Sequence, residues 1–199
     1  MKKKEVKQKQ FYSEEYLEQL RLAHKLHKWG GSAVGKIQDI VYIMKILNIT
    51  DVLDYGSGYG CLKEEIEKLH PDLNLNVIEY DPGIVEKSSI PKPCDLVVSF
   101  DVLEHIEPEF VDNVLDDLVR VTKKIGHYGI SLETSTKFLP NGQNTHLSVH
   151  PIEWWEEKLA ERFVILKKAS SSTYCKYILR SKTYGKLIKR NPYSKYWIG

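Results

Sequence analysis

The run Val52-Leu53-Asp54-Tyr55-Gly56-Ser57-Gly58-Tyr59-Gly60 constrains the fold more than any other stretch of the chain. Two aliphatic residues lead into an acid, three glycines follow on alternate positions, and an amphipathic segment runs from Leu62 to Leu69. This pattern predicts a buried parallel strand, a tight turn and a helix. Glycines in such a turn let the backbone approach a ligand with no Cβ in the way. The helix N-terminus behind them presents free N–H groups to a negative group. These residues point to a nucleotide-like cofactor at the end of a first strand.

The dinucleotide fingerprint, G-x-G-x-x-G, serves a pyrophosphate. Here the glycines stand at 56, 58 and 60, and Asp54 precedes them. Asn76-Val77-Ile78-Glu79-Tyr80-Asp81-Pro82 reads as a second short strand ending in an acid. An acid at that place in a doubly wound fold reaches the hydroxyls of a ribose. Asp81, last before Pro82, is the expected ligand, with Glu79 on the same face in reserve. A third block, Cys94-Asp95-Leu96-Val97-Val98-Ser99-Phe100-Asp101-Val102-Leu103-Glu104-His105-Ile106, begins as an apolar strand and ends in polar residues.

In order and spacing the three blocks resemble the class I S-adenosylmethionine (AdoMet)-dependent methyltransferases. Asp54 to Gly60 match their D/E-x-G-x-G-x-G motif, and Asp95 to Ile106 match a D-L-V-V-x-x-x-V-L-E-H-I region. The resemblance implies an α/β, Rossmann-like class I methyltransferase fold: a mostly parallel sheet with a C-terminal β-hairpin. It implies that Asp54, Gly56, Ser57, Gly58, Tyr59 and Gly60 wrap the methionine end of AdoMet. Asp81 and Pro82 then hold the ribose side, and the Phe100, Asp101 and Val102 backbone touches the sulfonium. One departure stands out. Only Gly83 to Pro93 separates the second strand from the next, too few residues for the helix and edge strand the family usually has there. The edge strand three of that family is expected to be shortened or missing, with adenine covered near Ser88, Ser89 and Ile90.

The remaining elements read coarsely. Helices are expected over Phe11–Lys28, Ala33–Leu47, Pro108–Lys124 and Pro151–Arg162, and strands over His127–Leu132, Phe163–Ala169 and Cys175–Arg180. The layout predicts one domain, 1–199, with N-terminal helices or a lid over 1–50, a cofactor core over 51–182 and a basic aromatic tail over 183–199. Gly30-x-x-x-x-Gly35-Lys36 mimics a phosphate-binding loop, but Ile37 stands where Ser or Thr must hold magnesium, so a flexible joint is expected there. Asn191-Pro192-Tyr193-Ser194 and Pro93-Cys94 lack the context of the DNA-methylating motifs they imitate.

The acceptor side centres on Asp101, Glu104 and His105, at the C-terminal end of a strand, where open α/β sheets bind ligands. His105 has the intrinsic pKa to take a proton from a hydroxyl or amine. The ubiquinone-type O-methyltransferase branch carries a similar acid-x-x-Glu-His group, associated there with a divalent metal. That resemblance makes Asp101, Glu104 and His105 a candidate metal set. The alternative is that Glu104 and His105 merely cap the next helix. Phe138-Leu139-Pro140-Asn141-Gly142-Gln143-Asn144-Thr145-His146-Leu147 is polar and turn-rich, an expected loop at the same rim. With Trp154-Trp155 it resembles an L-P-x-G-x-N-x-H-L…W-W block of small stand-alone methyltransferases of bacteria and phages. His146 and Asn144 are therefore candidates for contacting the acceptor or completing a metal site. Trp154 and Trp155 face different ways on a helix, so at most one is expected in the core.

Net charge is +2, unevenly spread. Residues 163–199 hold nine Lys or Arg and no acid, residues 1–10 add +4, and by difference residues 11–162 carry −11. Tyr174, Tyr177, Tyr184, Tyr193, Tyr196 and Trp197 interleave with the C-terminal cations. Such a mixture suits a nucleic-acid backbone, or else a clasp folded back on the acidic body. The three cysteines have no C-x-x-C spacing, and no apolar run is long enough to span a bilayer, so a cytoplasmic location without membrane contact is expected. Two function classes follow: a methyltransferase acting on O or N of a small-molecule or glycan acceptor, and a nucleic-acid methyltransferase using the basic tail. A non-catalytic AdoMet-binding protein is a distant third.

Overall fold

A computed structural model describes residues 9–73 and 75–184. The chain runs through α1 (Glu14–Leu26), α2 (Ile37–Leu47), β1 (Asp51–Tyr55), α3 (Cys61–Leu69), β2 (Asn76–Tyr80), β3 (Cys94–Phe100), α4 (Val111–Val121), β4 (Thr122–Ser131), α5 (Ile152–Arg162), β5 (Phe163–Ser170) and β6 (Tyr174–Ser181). The strands form one sheet in the order β2-β1-β3-β4-β6-β5. The pairs β1–β2, β1–β3 and β3–β4 are parallel, and β6 runs antiparallel between β4 and β5. The expected mostly parallel sheet and C-terminal hairpin are both present. So is the expected truncation: among the described residues β2 is the sheet edge, and Gly83–Pro93 holds only a short 3₁₀ turn, Val85–Lys87.

Helix ends follow local chemistry. Ser13 caps α1 by accepting from the Tyr16 N–H at 3.0 Å, with Glu14 and Glu15 favourably placed in the first turn. The helix therefore starts three residues after the expected Phe11. The segment expected as a single helix from Pro108 to Lys124 divides differently. A 3₁₀ turn, Pro108–Phe110, leads into α4, and β4 already begins at Thr122, drawn into the sheet by pairing with Cys94. Tertiary pairing overrides the helical pattern there.

The sheet is covered on both faces, as parallel strands require. One apolar cluster joins Val97 and Leu53 to Val114, Leu115 and Leu118 of α4 and to Trp155 and Leu159 of α5. The other joins Leu96 and Val98 to Ile40 and Met44 of α2 and to Leu62 and Ile66 of α3. Alternation along β3 sends Val97 one way and its neighbours the other. Trp155 is fully buried, whereas Trp154 is half-buried and stacks on His150 at 3.8 Å. A third, small cluster lies outside both layers: Tyr16 and Ala23 of α1 meet Leu139, with Tyr12, Leu20, Trp29 and Leu147 around them.

Chain order reverses between β1 and β3, with β2 on one side and β4 on the other. A crevice opens at the carboxyl ends of the strands at such a switch point. Among the described residues no helix is long and apolar enough to cross a membrane.

Candidate active site

That crevice is a cleft of about 500 Å³. Its first end is made by the turn after β1. Gly56 and Ser57 donate their N–H groups to the Tyr80 carbonyl at 2.8 and 3.0 Å, tying the turn to the end of β2. Gly58, with φ of 54°, donates its N–H to Asp81 Oδ2 at 2.8 Å. Any Cβ on Gly58 would collide with the carbonyl of Trp29, whose oxygen accepts from the Tyr59 N–H at 2.9 Å. Gly30 answers from the other side, with φ of 131° and no room for a Cβ against the Ser57 carbonyl. Segment 29–31 is thus a strap interlocked with the glycine turn, not the flexible joint expected from sequence.

Asp54, Gly56, Ser57, Gly58, Asp81, Pro82, Phe100, Asp101 and Val102 all line the cleft. Tyr59 and Gly60 do not. The Tyr59 ring turns outward and donates its hydroxyl to the His24 carbonyl at 2.7 Å, while Gly60 backs onto Glu79 and Lys87. Glu79 is held by Lys87 at 2.9 Å and stays out of the cleft, leaving Asp81, itself buried, as the acid that lines it. Nor do Ser88, Ser89 and Ile90 reach it; Ile90 points to solvent. Tyr16, Leu20 and His24 of α1 line the cleft instead, and Leu20 and His24 press on Gly83. Burial raises Asp54 to about 7, with Glu79 and Asp81 adding to the shift and Lys87 opposing it.

The other end gathers Glu104, His105, Thr145 and His146. His105 Nδ1 lies 2.7 Å from the Thr145 carbonyl, and His146 Nδ1 lies 2.6 Å from the Glu133 carbonyl. A carbonyl only accepts, so in both rings Nδ1 carries the proton and Nε2 keeps a free lone pair. The two rings meet edge to face, 4.8 Å between centroids. Glu104 is fully buried; Oε1 accepts from the Ser131 N–H at 2.9 Å, and Oε2 has no partner among the described residues. Burial is the main reason Glu104 rises to about 8. Burial, then His146, lowers His105 to about 4, so that imidazole is neutral at pH 7.

One ligand atom from each of Glu104, His105 and His146 falls within 4.8 Å of the others. The set expected from sequence was Asp101, Glu104 and His105, with His146 or Asn144 as candidates to complete it. Asp101 instead sits in the left-handed region, with φ of 56°, where its carboxylate hydrogen-bonds Tyr174. Asn144 does not line the cleft. It accepts from the His146 N–H at 2.9 Å and donates to the Ser135 carbonyl at 2.8 Å, shaping the loop that presents His146.

Among the described residues, four buried side-chain atoms without a partner belong to residues lining this cleft: His24 Nδ1, Asp101 Oδ1, Glu104 Oε2 and Thr145 Oγ1. Buried polar atoms are normally paired, and a cluster of unpaired ones marks a place where a ligand completes the structure. Sequence reasoning missed His24, Tyr16 and Tyr174, all of which line the cleft. They come from α1 and β6, distant in sequence from every glycine or acid motif, and no local pattern distinguishes them.

No protein-family model matches this chain, and no curated protein sequence matches it. Solved structures do. An O-methyltransferase family protein from Burkholderia thailandensis is 12% identical, with a TM-score of 0.57 over 90% of this chain and 67% of that one. The 1,6-didemethyltoxoflavin-N1-methyltransferase of the same organism, solved with 1,6-didemethyltoxoflavin and S-adenosylhomocysteine, is 15% identical, with a TM-score of 0.54 over 84% and 89%. A putative sarcosine dimethylglycine methyltransferase from Galdieria sulphuraria is 10% identical, with a TM-score of 0.51 over 76% and 87%. At such identities the likeness is one of fold: the Rossmann-like fold of class I methyltransferases.

Proposed function

We propose that this chain is an AdoMet-dependent methyltransferase that moves a methyl group to an oxygen or nitrogen of a small-molecule or glycan acceptor. One observation carries the reading: a glycine turn with Asp81 and a Glu104–His105–His146 group face the two ends of the same cleft. The fold shared with structures solved around S-adenosylhomocysteine supports it.

When bound, AdoMet would supply an electrophilic methyl group: the acceptor's lone pair would form the new bond, the C–S electron pair would stay on sulfur to leave neutral S-adenosylhomocysteine, and the acceptor would shed a proton. The chain's main task is to hold the two reactants in line, a source of up to about 7–11 kcal/mol of rate enhancement. Asp81 takes the ribose hydroxyls, and the turn from Gly56 to Gly58 takes the methionine end. Ile106 and Val114 give the acceptor an apolar wall, and the free Nε2 atoms of His105 and His146 accept from its hydroxyl or amine.

A divalent cation fits the acceptor end. Two imidazoles with Nδ1 fixed by carbonyls and an unpaired buried carboxylate oxygen are a suitable donor set. Glu104, His105 and His146 would hold it. When bound it would acidify an acceptor hydroxyl.

The test is calorimetry with AdoMet, S-adenosylhomocysteine, NAD and ATP, followed by labelled-AdoMet transfer to panels of phenols, amines, glycans, RNA and DNA. Binding of the first two ligands alone is expected, with label on a small acceptor. Label on nucleic acid alone would replace the acceptor class, and tight NAD binding would overturn the reading. The basic tail that would serve nucleic acid lies largely outside the described residues.

A further inference from the structure

Two lysines line the cleft: Lys137, on the loop that carries His146, and Lys28, next to Trp29 in sequence. Both are exposed. Lysines elsewhere meet carboxylates, as Lys87, Lys158 and Lys168 do at 2.9, 2.8 and 2.7 Å. Among the described residues no acid pairs with Lys28 or Lys137.

Lys137 is nonetheless placed. Its Nζ lies 5.9 Å from the centre of the Trp29 ring, and Trp29 also lines the cleft. An indole face attracts a cation through its quadrupole. The main chain of Lys137 belongs to the ladder that sets the acceptor end. Its carbonyl accepts the Thr145 N–H at 3.1 Å, and the Thr145 carbonyl holds His105 Nδ1. Phe138 bridges Asn144 one step further along the same loop. Burial and His146 lower His105 most, and the charge of Lys137 adds to them. At pH 7 Glu104, raised to about 8, is largely protonated, and His105, lowered to about 4, is neutral. Neither offers Lys137 a counter-charge, and Asp101 is engaged with Tyr174. A cation left unpaired in a cleft with low-dielectric walls draws an anion to it.

We infer that the acceptor carries an anionic group, a carboxylate, phosphate or sulfate, which Lys137 takes at the acceptor end of the cleft, with Lys28 adding to the positive field. The inference rests on the reading of the site given above and narrows its acceptor class. Trp29 gives the acceptor apolar surface beside that charge, and the hydroxyl or amine to be methylated lies at His105 and His146. The ion pair then fixes one end of the acceptor and orients the other. The methionine end of AdoMet also carries a carboxylate, so the experiment separates the two sources.

The experiment uses the full chain loaded with S-adenosylhomocysteine and two matched pairs of probes, 4-hydroxybenzoate with 4-hydroxybenzamide and glucuronate with glucuronamide. Calorimetry is expected to show the anion of at least one pair binding about tenfold tighter than its amide, the size of one charge-assisted hydrogen bond. Lys137→Met should erase that preference and Lys137→Arg should keep it; the side chain is exposed, so neither change threatens the fold. Lys28→Met should only reduce it. No preference in either pair would overturn the inference, as would a preference that survives Lys137→Met. A parallel titration compares S-adenosylhomocysteine with 5′-methylthioadenosine, which lacks the amino-acid end. Lys137→Met should leave both affinities within about twofold. A loss confined to S-adenosylhomocysteine would give Lys137 to the cofactor's carboxylate and overturn the acceptor assignment. A wild-type chain that binds neither nucleoside defeats the AdoMet reading itself, and the probe pairs then test Lys137 on the unloaded chain.

Discussion

The two ends of the cleft are held together by different means. At the cofactor end every donor is a main-chain N–H: Gly56 and Ser57 on the Tyr80 carbonyl, Gly58 and Gly83 on the Asp81 carboxylate. They join residues within one strand–turn–helix–strand unit. At the acceptor end the fixing contacts bridge distant loops, with His105 reaching the Thr145 carbonyl 40 residues away and Ser131 holding Glu104. The first end depends on the backbone of its glycine turn and on one side chain, Asp81. The second depends on several side chains, Glu104, His105 and His146, each held by a main-chain group. Their separation is testable, because damage to one end should leave the other working.

The largest effect is expected at the acceptor end. Glu104→Gln and His105→Ala should each lower turnover by about 10²–10⁴, the range for removing a positioned acid–base group. S-adenosylhomocysteine affinity should stay within a few-fold. His146→Ala should behave in the same way if it belongs to the group and should leave turnover alone if it only orders its loop. A matching loss of cofactor affinity would show that the two ends are one mechanical unit. Chelator-sensitive turnover, restored by a divalent ion, is expected of the wild type if Glu104, His105 and His146 hold a cation.

Next comes Gly58→Val, which attacks the cofactor end. The left-handed conformation disfavours any side chain by about 1–2 kcal/mol, a branched one more, and the Cβ would strike the Trp29 carbonyl. Affinity for S-adenosylhomocysteine should fall at least about 100-fold, since the N-terminal strap is displaced with the turn. The cause differs from the one sequence alone suggests: the glycine makes room for the chain's own strap rather than for the ligand directly. Retained affinity would mean that strap and turn are independent.

The contrast also explains what was legible in advance. Parallel strands reveal themselves as apolar runs, and left-handed turns as glycines, so the sheet, the turn, Asp54 and Asp81 could be read from short windows. The missing edge strand was readable by subtraction, because Gly83–Pro93 is too short for one. Glu104 and His105 were legible as a pair and His146 as a candidate to complete the site, but not that His146 rather than Asp101 joins them. Replacement of Asp101 by His146 depends on a left-handed backbone at Asp101 and on the loop geometry set by Asn144. His24 and Tyr174 left no trace, since a single polar residue on a surface-like helix or a hairpin strand carries no periodic signal. Tyr59 and Gly60 show the opposite failure: their motif positions are right, yet the turn rotates them out of the cleft.

A smaller effect concerns pH and the cofactor end alone. The Asp54 carboxyl titrates at about 7 in the folded chain, above the ordinary 3.8, because burial disfavours its charge. The folded state therefore binds this proton more tightly than the unfolded chain. The resulting stability is fully present below about 3.8 and is lost as pH rises through about 7. Between pH 5.5 and 7 the loss should reach at most about 2 kcal/mol. Asp54→Asn should flatten that slope in denaturant titrations of the ligand-free chain. A slope unchanged in Asp54→Asn would mean that the carboxyl is solvated and the turn looser than described.

The smallest effect joins the two ends. Ser13 caps α1 through Tyr16 and also grips Glu107, beside the acceptor loop, while His24 at the far end of the same helix meets Asp81. Ser13→Ala removes the cap and half of the grip, at a cost of about 1 kcal/mol to the helix start. Because the N-terminal cover packs through its own small cluster rather than the two main cores, that cost falls on local opening, not on global unfolding. Hydrogen exchange should quicken about fivefold in residues 14–26 and hardly at all in α4. Cofactor affinity should weaken two- to fivefold, and acceptor KM should rise by a similar factor. Faster exchange with no change at either end would show that the helix is a passive cover. A change confined to the acceptor end would show that the His24–Asp81 contact transmits nothing and leave Ser13 as a loop anchor only.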